Sequence, residues 1–247
     1  MDTKFETIET SYVAFLDILG FKELVDNNDH EKLTKIFEHI VDKILDSLVE
    51  SYNLPKGGFM GPQGEQFNID SLFISDSIIL WTKNNTPRSL IKLFMLTSDI
   101  IALSFIGGFP VRGGVSVGPI SAYKRLNNTT LFGKGLTNAY LIEQIQNWAG
   151  CIVDDKVIEE FDKTNEEFRK IGFKDDDMIS SEGLLDPLKI LDKYEVPLKS
   201  GVKSEYYVIN WPKNKFCKEM KLEDLVHSFS DYNKNTSDWR VEYIIKN

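Results

Sequence analysis

The sequence has few cysteines, no excess of basic residues and no long uninterrupted apolar run. Its two cysteines, Cys151 and Cys217, lack metal-ligand spacing, and a reducing compartment is the natural interpretation. With 29 basic and 38 acidic residues, the net charge is −9. General DNA binding requires a basic surface, so we expect no DNA partner.

Membrane-spanning and secretory segments are also not expected. Residues 90–106 are the most apolar stretch, but Lys92 and Asp99 interrupt it before the roughly 18 residues that a membrane helix needs. The first residues, MDTKFETIETS, are polar and lack the apolar centre of a signal peptide. We therefore expect a cytoplasmic protein with no membrane partner.

The length and composition are sufficient for a substantial hydrophobic core, at 247 residues and 42% hydrophobic residues. No internal repeat, low-complexity run or linker rich in proline and glycine divides the chain. We expect a single domain over residues 1–247, with a core at about 10–160 and a C-terminal strand and helix extension at about 161–247.

The apolar periodicity predicts alternating strands and helices. Strands are expected at Tyr12–Leu16, Phe67–Ile74, Ser77–Trp81, Val111–Val117, Ile120–Tyr123, Cys151–Val153 and Val202–Trp211. Helices are expected after Asp29 through Val49, from Pro87 to Gly107, at Leu136–Trp148, after Asp154 and at Leu222–Tyr232. Residues 55–66 form a loop, and Gly118-Pro119 breaks a strand. This order matches the split β-α-β arrangement of ferredoxin-like folds. The expected class is α+β, an antiparallel sheet with helices on one face.

Two acidic residues stand at the ends of predicted apolar strands. Asp17 ends YVAFLD and is either a helix cap or a metal ligand beside a phosphate-binding turn. Asp76, at the tip of FISDSIILW, is either an ordinary turn residue or a second ligand. The first strand and this hairpin are neighbours in a ferredoxin-like sheet. Both carboxylates could therefore emerge at the same end and share divalent cations.

Four motifs appear in the order found in class III nucleotide cyclases, which the sequence resembles over about residues 12–155. They are FLDILGF at 15–21, FISDS at 73–77, VRGGVSVGPI at 111–120 and FGKGLTNAYLIE at 132–143. The resemblance implies a palm-type sheet and conversion of a nucleoside triphosphate to a 3′,5′-cyclic monophosphate and pyrophosphate. It implies two Mg²⁺ or Mn²⁺ ions on Asp17, the Ile18 carbonyl and Asp76. Phosphate contacts are implied at Leu19, Gly20 and Phe21.

The resemblance departs where the family selects its base. The first base-contacting position is Leu72, and the second falls at Thr130 or Leu131, depending on the alignment. Neither reproduces the Lys/Asp pair expected for adenine or the Glu/Cys-type pair expected for guanine. An aliphatic side chain cannot replace those hydrogen bonds.

The late helix also departs from the family, whose Asn and Arg stabilise the transition state. Asn138 matches the Asn, but Ile142 stands where the Arg is expected; the alternative register gives Thr137 and Leu141. A cation must come from elsewhere, and the candidates are Arg112, Lys124, Arg125, Lys134, Lys199 and Lys203. VKSEYYVIN resembles the family's terminal Lys-bearing hairpin, which favours Lys203. Arg112 is either catalytic or structural.

These departures, the AYLIE ending and the YYVINWP strand resemble the pyrimidine cyclases of bacterial Pycsar antiphage defence. The resemblance implies cyclic CMP or cyclic UMP as product, without separating CTP from UTP, and a separate effector that responds to it. It also implies a homodimer with sites at the interface, since no repeat supplies a second cyclase unit. Two alternatives stay open: an adenylate or guanylate cyclase with an atypical base pocket, and a catalytically silent nucleotide-binding regulatory module.

Overall fold

A computed structural model describes residues 5–53, 68–125, 128–170, 179–180, 183–184 and 190–234. The strands are β1 (Glu6–Ile18), β2 (Ile69–Ile74), β3 (Ser77–Thr82), β4 (Val111–Arg125), β5 (Asn128–Phe132), β6 (Gly150–Val153), β7 (Ile179–Ser180), β8 (Gly183–Leu184), β9 (Leu191–Pro197) and β10 (Lys203–Ile209). The helices are α1 (Phe21–Asp26), α2 (His30–Glu38), α3 (Ser47–Asn53), α4 (Pro87–Ile106), α5 (Lys134–Ile145), α6 (Asp155–Lys170) and α7 (Leu222–Ser228). The predicted loop at 55–66 lies outside the described residues.

Strands β2, β3, β1 and β4 lie side by side in that order, and all three pairings are antiparallel. This is the strand order of a ferredoxin-like fold, with the crossover helices between β1 and β2 and between β3 and β4. β6 pairs in parallel with β4 and is followed by β10 and β9, while β5 pairs with the far end of β4. The α+β class is therefore confirmed, with a sheet extended to eight strands.

The helices do not all lie on one face of the sheet, contrary to that detail of the expectation. Even-numbered β1 residues such as Leu16 pack with α4 in the main core, whereas Val13 and Phe15 pack with Ala139 of α5 on the opposite face. The close approach of α5 depends on glycine, because a Cβ atom on Gly114 would lie 2.6 Å from the Ala139 carbonyl oxygen. The α5 face therefore forms a second, smaller core.

The predicted break at Gly118-Pro119 is wrong, since β4 runs continuously through both residues. The irregularity in strand pairing lies in the partner strand β1. Ser11 pairs with Gly118 and Ile8 pairs with Ile120, and the register of β1 shifts between these two pairs. A bulge lets an antiparallel pair pass a proline that cannot donate a backbone hydrogen bond. Gly118 and Pro119 therefore lie opposite a bulge in β1, and the sheet continues through them.

The predicted single helix through Val49 contains an eight-residue π-helical segment, His39–Asp46, between α2 and α3. Asp29 caps its start by accepting a hydrogen bond from the Lys32 amide at 2.8 Å. The buried residues Ile36, Ile40, Leu45 and Val49 are separated by four, five and four positions. A step of five matches the wider π turn, which keeps the apolar face directed at the sheet.

Helix α4 begins as predicted, with Thr86 accepting from the Ser89 amide and Pro87 in the first turn, and it ends at Gly107. Among the described residues it is the helix long and apolar enough to cross a membrane, with mean hydropathy 1.8. However, 83% of its apolar window is buried within the protein, as expected for a core helix.

The C-terminal elements pack against α4. Trp211 stacks on Phe105 with ring centroids 4.3 Å apart, and Asn214 donates to the Asp99 carboxylate at 2.7 Å. The predicted strand Val202–Trp211 is the shorter β10, and the predicted helix Leu222–Tyr232 ends at Ser228. The division of the chain into one domain with a C-terminal extension stays a prediction.

Candidate active site

The two acidic residues at the strand ends lie side by side. Asp17 pairs with Ser77 of β3 on one side and with Arg112 of β4 on the other. Asp76 immediately precedes Ser77, and its carbonyl oxygen accepts a hydrogen bond from the Ile18 amide at 2.9 Å. Both acids are half-buried. The structure therefore brings the predicted metal ligands to one end of adjacent strands.

The turns that carry these acids use unusual backbone conformations. Ser75, the first residue of the two-residue β2–β3 turn, has a φ of 59°. This suits the first central position of a tight hairpin turn but is uncommon for a residue with a side chain. After β1, Gly20 has a φ of 74°, a left-handed conformation that glycine adopts without steric strain.

Asp17 lies in an environment that opposes its ionisation. Burial raises the pKa of its carboxyl to about 7, and the negative charges of Glu143 and Asp76 contribute to the increase. The positive charges of Arg112 and Lys199 act in the opposite direction. Adjacent carboxylates with partial burial are stabilised when a cation binds between them.

The donor set fits a hard divalent ion. The described residues contain no group of three or more His, Cys, Asp or Glu side chains that would form a complete protein cage. Magnesium uses one or two carboxylates, keeps several waters and prefers oxygen ligands. The oxygens of Asp17 and Asp76 meet this requirement.

Arg112 is held in a buried network between β4 and α5. Arg112 is 8% exposed, and its guanidinium forms an ion pair with Glu143, whose side chain is fully buried. It also donates to the Gln146 carbonyl oxygen at 3.2 Å and lies 3.9 Å from the Asp17 carboxylate. Arg112 therefore has a structural role, and its position beside Asp17 also leaves the predicted catalytic role open.

The late-helix residues occupy different environments along α5. Asn138 is half-buried, while Thr137 is exposed and donates to the Gly133 carbonyl oxygen at 3.2 Å. Four residues further on, Ile142 packs on a small core cluster and Leu141 is 53% exposed. In both registers the position of the family arginine is aliphatic, and the catalytic role of Asn138 stays a prediction.

Among the candidate lysines whose side chains the structure describes, Lys199 has a charge that acts on Asp17. It lies in the β9–β10 turn, where its amide donates to the Ile145 carbonyl oxygen of α5 at 2.8 Å. Burial and the Arg112 charge lower the pKa of the Lys199 ammonium. Lys203, the predicted catalytic lysine, is exposed at the start of β10 opposite Pro197, and its role stays a prediction. The side chains of Lys124 and Arg125 lie outside what the structure describes.

The two base-contacting positions lie on the α5 face of the sheet, one on β2 and one on β5, and strands β3, β1 and β4 lie between them. Leu72 and Leu131 are both partly buried against the cluster that contains Phe15 and Ile79. Thr130, the alternative for the second position, is exposed on β5 and pairs with Tyr123 of β4.

The predicted phosphate-binding turn requires one correction. The Leu19 amide already donates to the Pro110 carbonyl oxygen at 2.9 Å, so it is not free to bind a phosphate. Within the described part of the chain, the amides of Gly20 and Phe21 have no hydrogen-bond acceptor. The pairing of Leu19 depends on the α4–β4 loop, which no local pattern indicates.

The sequence pattern predicts no role for Glu143 and does not separate Lys199 from the other candidate cations. Glu143 lies four residues after Ala139, at the end of the otherwise apolar run AYLIE. A single acid on the same side of a helix as a buried residue is a signal for a buried ion pair. Lys199 carried no comparable signal, because a backbone bridge between Gln146 and Leu198 places it there.

The fold is similar to solved structures of nucleotide cyclases. The adenylyl cyclase CyaB from P. aeruginosa aligns with a TM-score of 0.54 and 10% identity over 83% of this chain and 95% of that chain. The monomeric guanylyl cyclase domain of the RhoGC fusion protein from the aquatic fungus Blastocladiella emersonii aligns with a TM-score of 0.51 and 14% identity, over 84% of this chain and 98% of that chain. A dimeric form of that domain aligns with a TM-score of 0.50 and 15% identity, over 83% of this chain and 97% of that chain.

No protein-family model matches the chain, and no curated protein sequence matches it significantly. The structural similarity therefore establishes the fold alone: an α+β fold with an open, eight-stranded mixed sheet, similar to that of the cyclase domains named above.

Proposed function

We propose that the protein is a metal-dependent nucleotide cyclase that converts CTP or UTP into the 3′,5′-cyclic monophosphate and pyrophosphate. The placement of Asp17 and Asp76 at adjacent strand ends of a cyclase-type sheet carries this proposal. Phosphoryl transfer depends mainly on positioning and charge neutralisation, for which two carboxylates that hold divalent ions are suitable.

Within this site, Asp17, the Ile18 carbonyl and Asp76 would hold two Mg²⁺ or Mn²⁺ ions, which would neutralise the charge of the triphosphate. Gly20 and Phe21 provide amides for phosphate oxygens. The Arg112 guanidinium, 3.9 Å from Asp17, orients that carboxylate. Asn138 and Lys203 remain the proposed transition-state residues, and Lys199 is a further candidate because its charge acts on Asp17.

The pyrimidine preference rests on the side chains at the two base-contacting positions, Leu72 and either Thr130 or Leu131. Leu72 offers no hydrogen bond to a base, and neither Thr130 nor Leu131 completes the pair of polar side chains that purine recognition requires. A smaller base leaves room for an aliphatic side chain such as that of Leu72. The role in antiphage defence, through a separate effector that binds the cyclic product in the cytoplasm, rests on the sequence resemblance.

A homodimer is supported by the outer face of α5. Tyr140, Leu141 and Ile145 are 43%, 53% and 41% exposed, so consecutive turns of this helix present apolar side chains to solvent. A second copy that covers this face would place its own residues beside the Asp17 side of the sheet.

Product analysis with purified protein tests the proposed activity. We expect cyclic CMP or cyclic UMP when each of the four nucleoside triphosphates is supplied with Mn²⁺ or Mg²⁺, and no product in the presence of a chelator. Cyclic AMP or cyclic GMP as the sole product would contradict the pyrimidine assignment. The absence of any cyclic product would favour a nucleotide-binding regulatory module.

Substitution of the two acids tests the chemistry. We expect Asp17→Asn and Asp76→Asn each to reduce kcat by about 100-fold or more, because each removes a charged metal ligand while keeping the side-chain shape. Asp162→Asn, at an exposed position of α6, is the matched control and should keep wild-type activity. Activity that survives Asp17→Asn would exclude the assigned metal site.

A further inference from the structure

The C-terminal residues 228–234, here termed the C-terminal clasp, pack against the turn that follows β1. Phe229 anchors the clasp in the core against Phe105, with ring centroids 6.1 Å apart. At the other end of the clasp, Lys234 contacts Gly20, since a Cβ atom on Gly20 would lie 3.2 Å from the Lys234 Cδ. The clasp therefore reaches the proposed phosphate-binding turn from a segment more than 200 residues away in sequence.

Lys234 joins two backbone segments that border the site. Its side chain is only 7% exposed, and its Nζ donates to the carbonyl oxygens of Gly108 at 2.5 Å and Ser228 at 2.9 Å. Gly108 belongs to the α4–β4 loop, and Pro110 of the same loop accepts the Leu19 amide hydrogen bond. The lysine stem covers one side of the turn, while the ammonium group fixes the loop that holds the other side.

The clasp adopts a strained backbone that its contacts with α1 maintain. Tyr232 and Asn233 have φ angles of 59° and 62°, which are uncommon for residues with side chains. Their carbonyl oxygens accept hydrogen bonds from Asn28 at 2.6 Å and Asn27 at 2.8 Å. Such a conformation persists only where surrounding contacts favour it, and here both contacts lie at the end of α1.

We infer that the C-terminal clasp positions the phosphate-binding turn and that Lys234 is its principal positioning residue. Helix α1 has only six residues, and a helix this short is not stable without tertiary contacts. Glycine at position 20 adds conformational freedom before it. The turn is therefore held by contacts from outside. Phe21 packs on Phe37 and Leu24 is buried in the core, and Lys234 and the two asparagines add the contacts of the clasp. This inference rests on the proposed function for its link to nucleotide binding.

Hydrogen exchange in the unliganded protein and steady-state kinetics together test the clasp. Lys234→Met keeps most of the stem and removes both hydrogen bonds, so amide exchange over residues 19–26 should accelerate. The KM for the nucleoside triphosphate should rise about fivefold with kcat changed less than about twofold, because roughly one net hydrogen bond of positioning is lost. Lys234→Arg should restore part of both properties.

Two further variants make the result decisive. Asn27→Ala removes a single exposed bond to the clasp and should produce the same changes at smaller amplitude, and it carries the test if Lys234→Met does not fold. Lys218→Met, at an exposed position, is the control and should change neither property. Unchanged exchange at the turn in folded Lys234→Met, or in Asn27→Ala if it carries the test, would overturn the inference. So would a loss of thermal stability with an unchanged KM.

Failure of the clasp and failure of the proposed function give different results. If the wild-type protein forms no cyclic nucleotide, the proposed function fails, while the exchange measurement still decides whether the clasp orders the turn. If the wild type is active and the turn exchanges equally in all variants, only the clasp is excluded.

Discussion

At the scale of single residues, the pair formed by Arg112 and Glu143 determines the environment of Asp17. Arg112 Nε donates to the Glu143 carboxylate at 2.6 Å, and Gln144 donates to the second carboxylate oxygen at 2.6 Å. Glu143 is completely buried, so these hydrogen-bond partners replace the water that its side chain loses on folding. The pair joins α5 to β4 at the residue that neighbours Asp17.

Breaking this pair from one side should be far more damaging than removing it completely. We expect Arg112→Met to lower the free energy of unfolding by about 3–5 kcal/mol, because Glu143 is left charged and buried without its main partner. The double variant Arg112→Met/Glu143→Met should recover most of this loss. Urea unfolding of the two single variants and the double variant measures the coupling, and additive effects would contradict the expectation.

At the scale of elements, α4 is the helix that the fold surrounds, and it carries a lysine in its buried surface. Lys92 is 3% exposed, and its Nζ lies 3.3 Å from the Asn53 side-chain oxygen of α3. Burial lowers the pKa of this ammonium to about 8. In the unfolded chain the pKa of a lysine is about 10.4. Between about pH 8 and about pH 10.4 the unfolded chain therefore binds more protons at Lys92 than the folded protein does.

Lys92 should make the stability of the protein depend on pH in a defined direction. The free energy of unfolding should rise as pH increases from about 8 to about 10, because the buried charge is lost. Lys92→Met should stabilise the protein by about 1–2 kcal/mol at pH 7, and this advantage should shrink toward pH 10. Thermal unfolding at both pH values measures it, with exposed Lys163→Met as control. An advantage that grows with pH would contradict the assignment.

At the scale of the whole molecule, the sheet has unequal cover on its two faces. One face carries α2, α3 and α4, while α5 covers part of the other and leaves apolar side chains of its own exposed. Exposed apolar residues that recur along one helix are typical of an interface. The protein is therefore expected to be active as a pair of subunits.

A charge on this face should separate the subunits without unfolding them. We expect Leu141→Glu to shift the protein to monomer in sedimentation velocity and to reduce activity by about tenfold or more at micromolar concentration. Its thermal stability as a monomer should stay high, since Leu141 is 53% exposed. Val226→Glu, on α7, places the same charge at an apolar position of 37% exposure and should leave the assembly intact. A Leu141→Glu protein that remains dimeric would place the interface elsewhere.

Local patterns in the sequence determined most elements and the two strand-end acids. Short continuous apolar runs identify β1 and β3, and Thr86-Pro87 starts α4 because capping is a property of adjacent residues. The hairpin tip at Ser75-Asp76 is local in the same sense. These features involve residues within one turn or hairpin, where spacing alone carries the information.

Tertiary structure alone decided how distant segments modify those elements and the site. A bulge in β1 carries β4 through Pro119, and the Gln146–Leu198 bridge brings Lys199 into the field of Asp17. Lys234 reaches Gly20 only because the segment at 228–234 returns to α1. Register, burial and electrostatic field depend on which remote groups become neighbours, and no local spacing records that information.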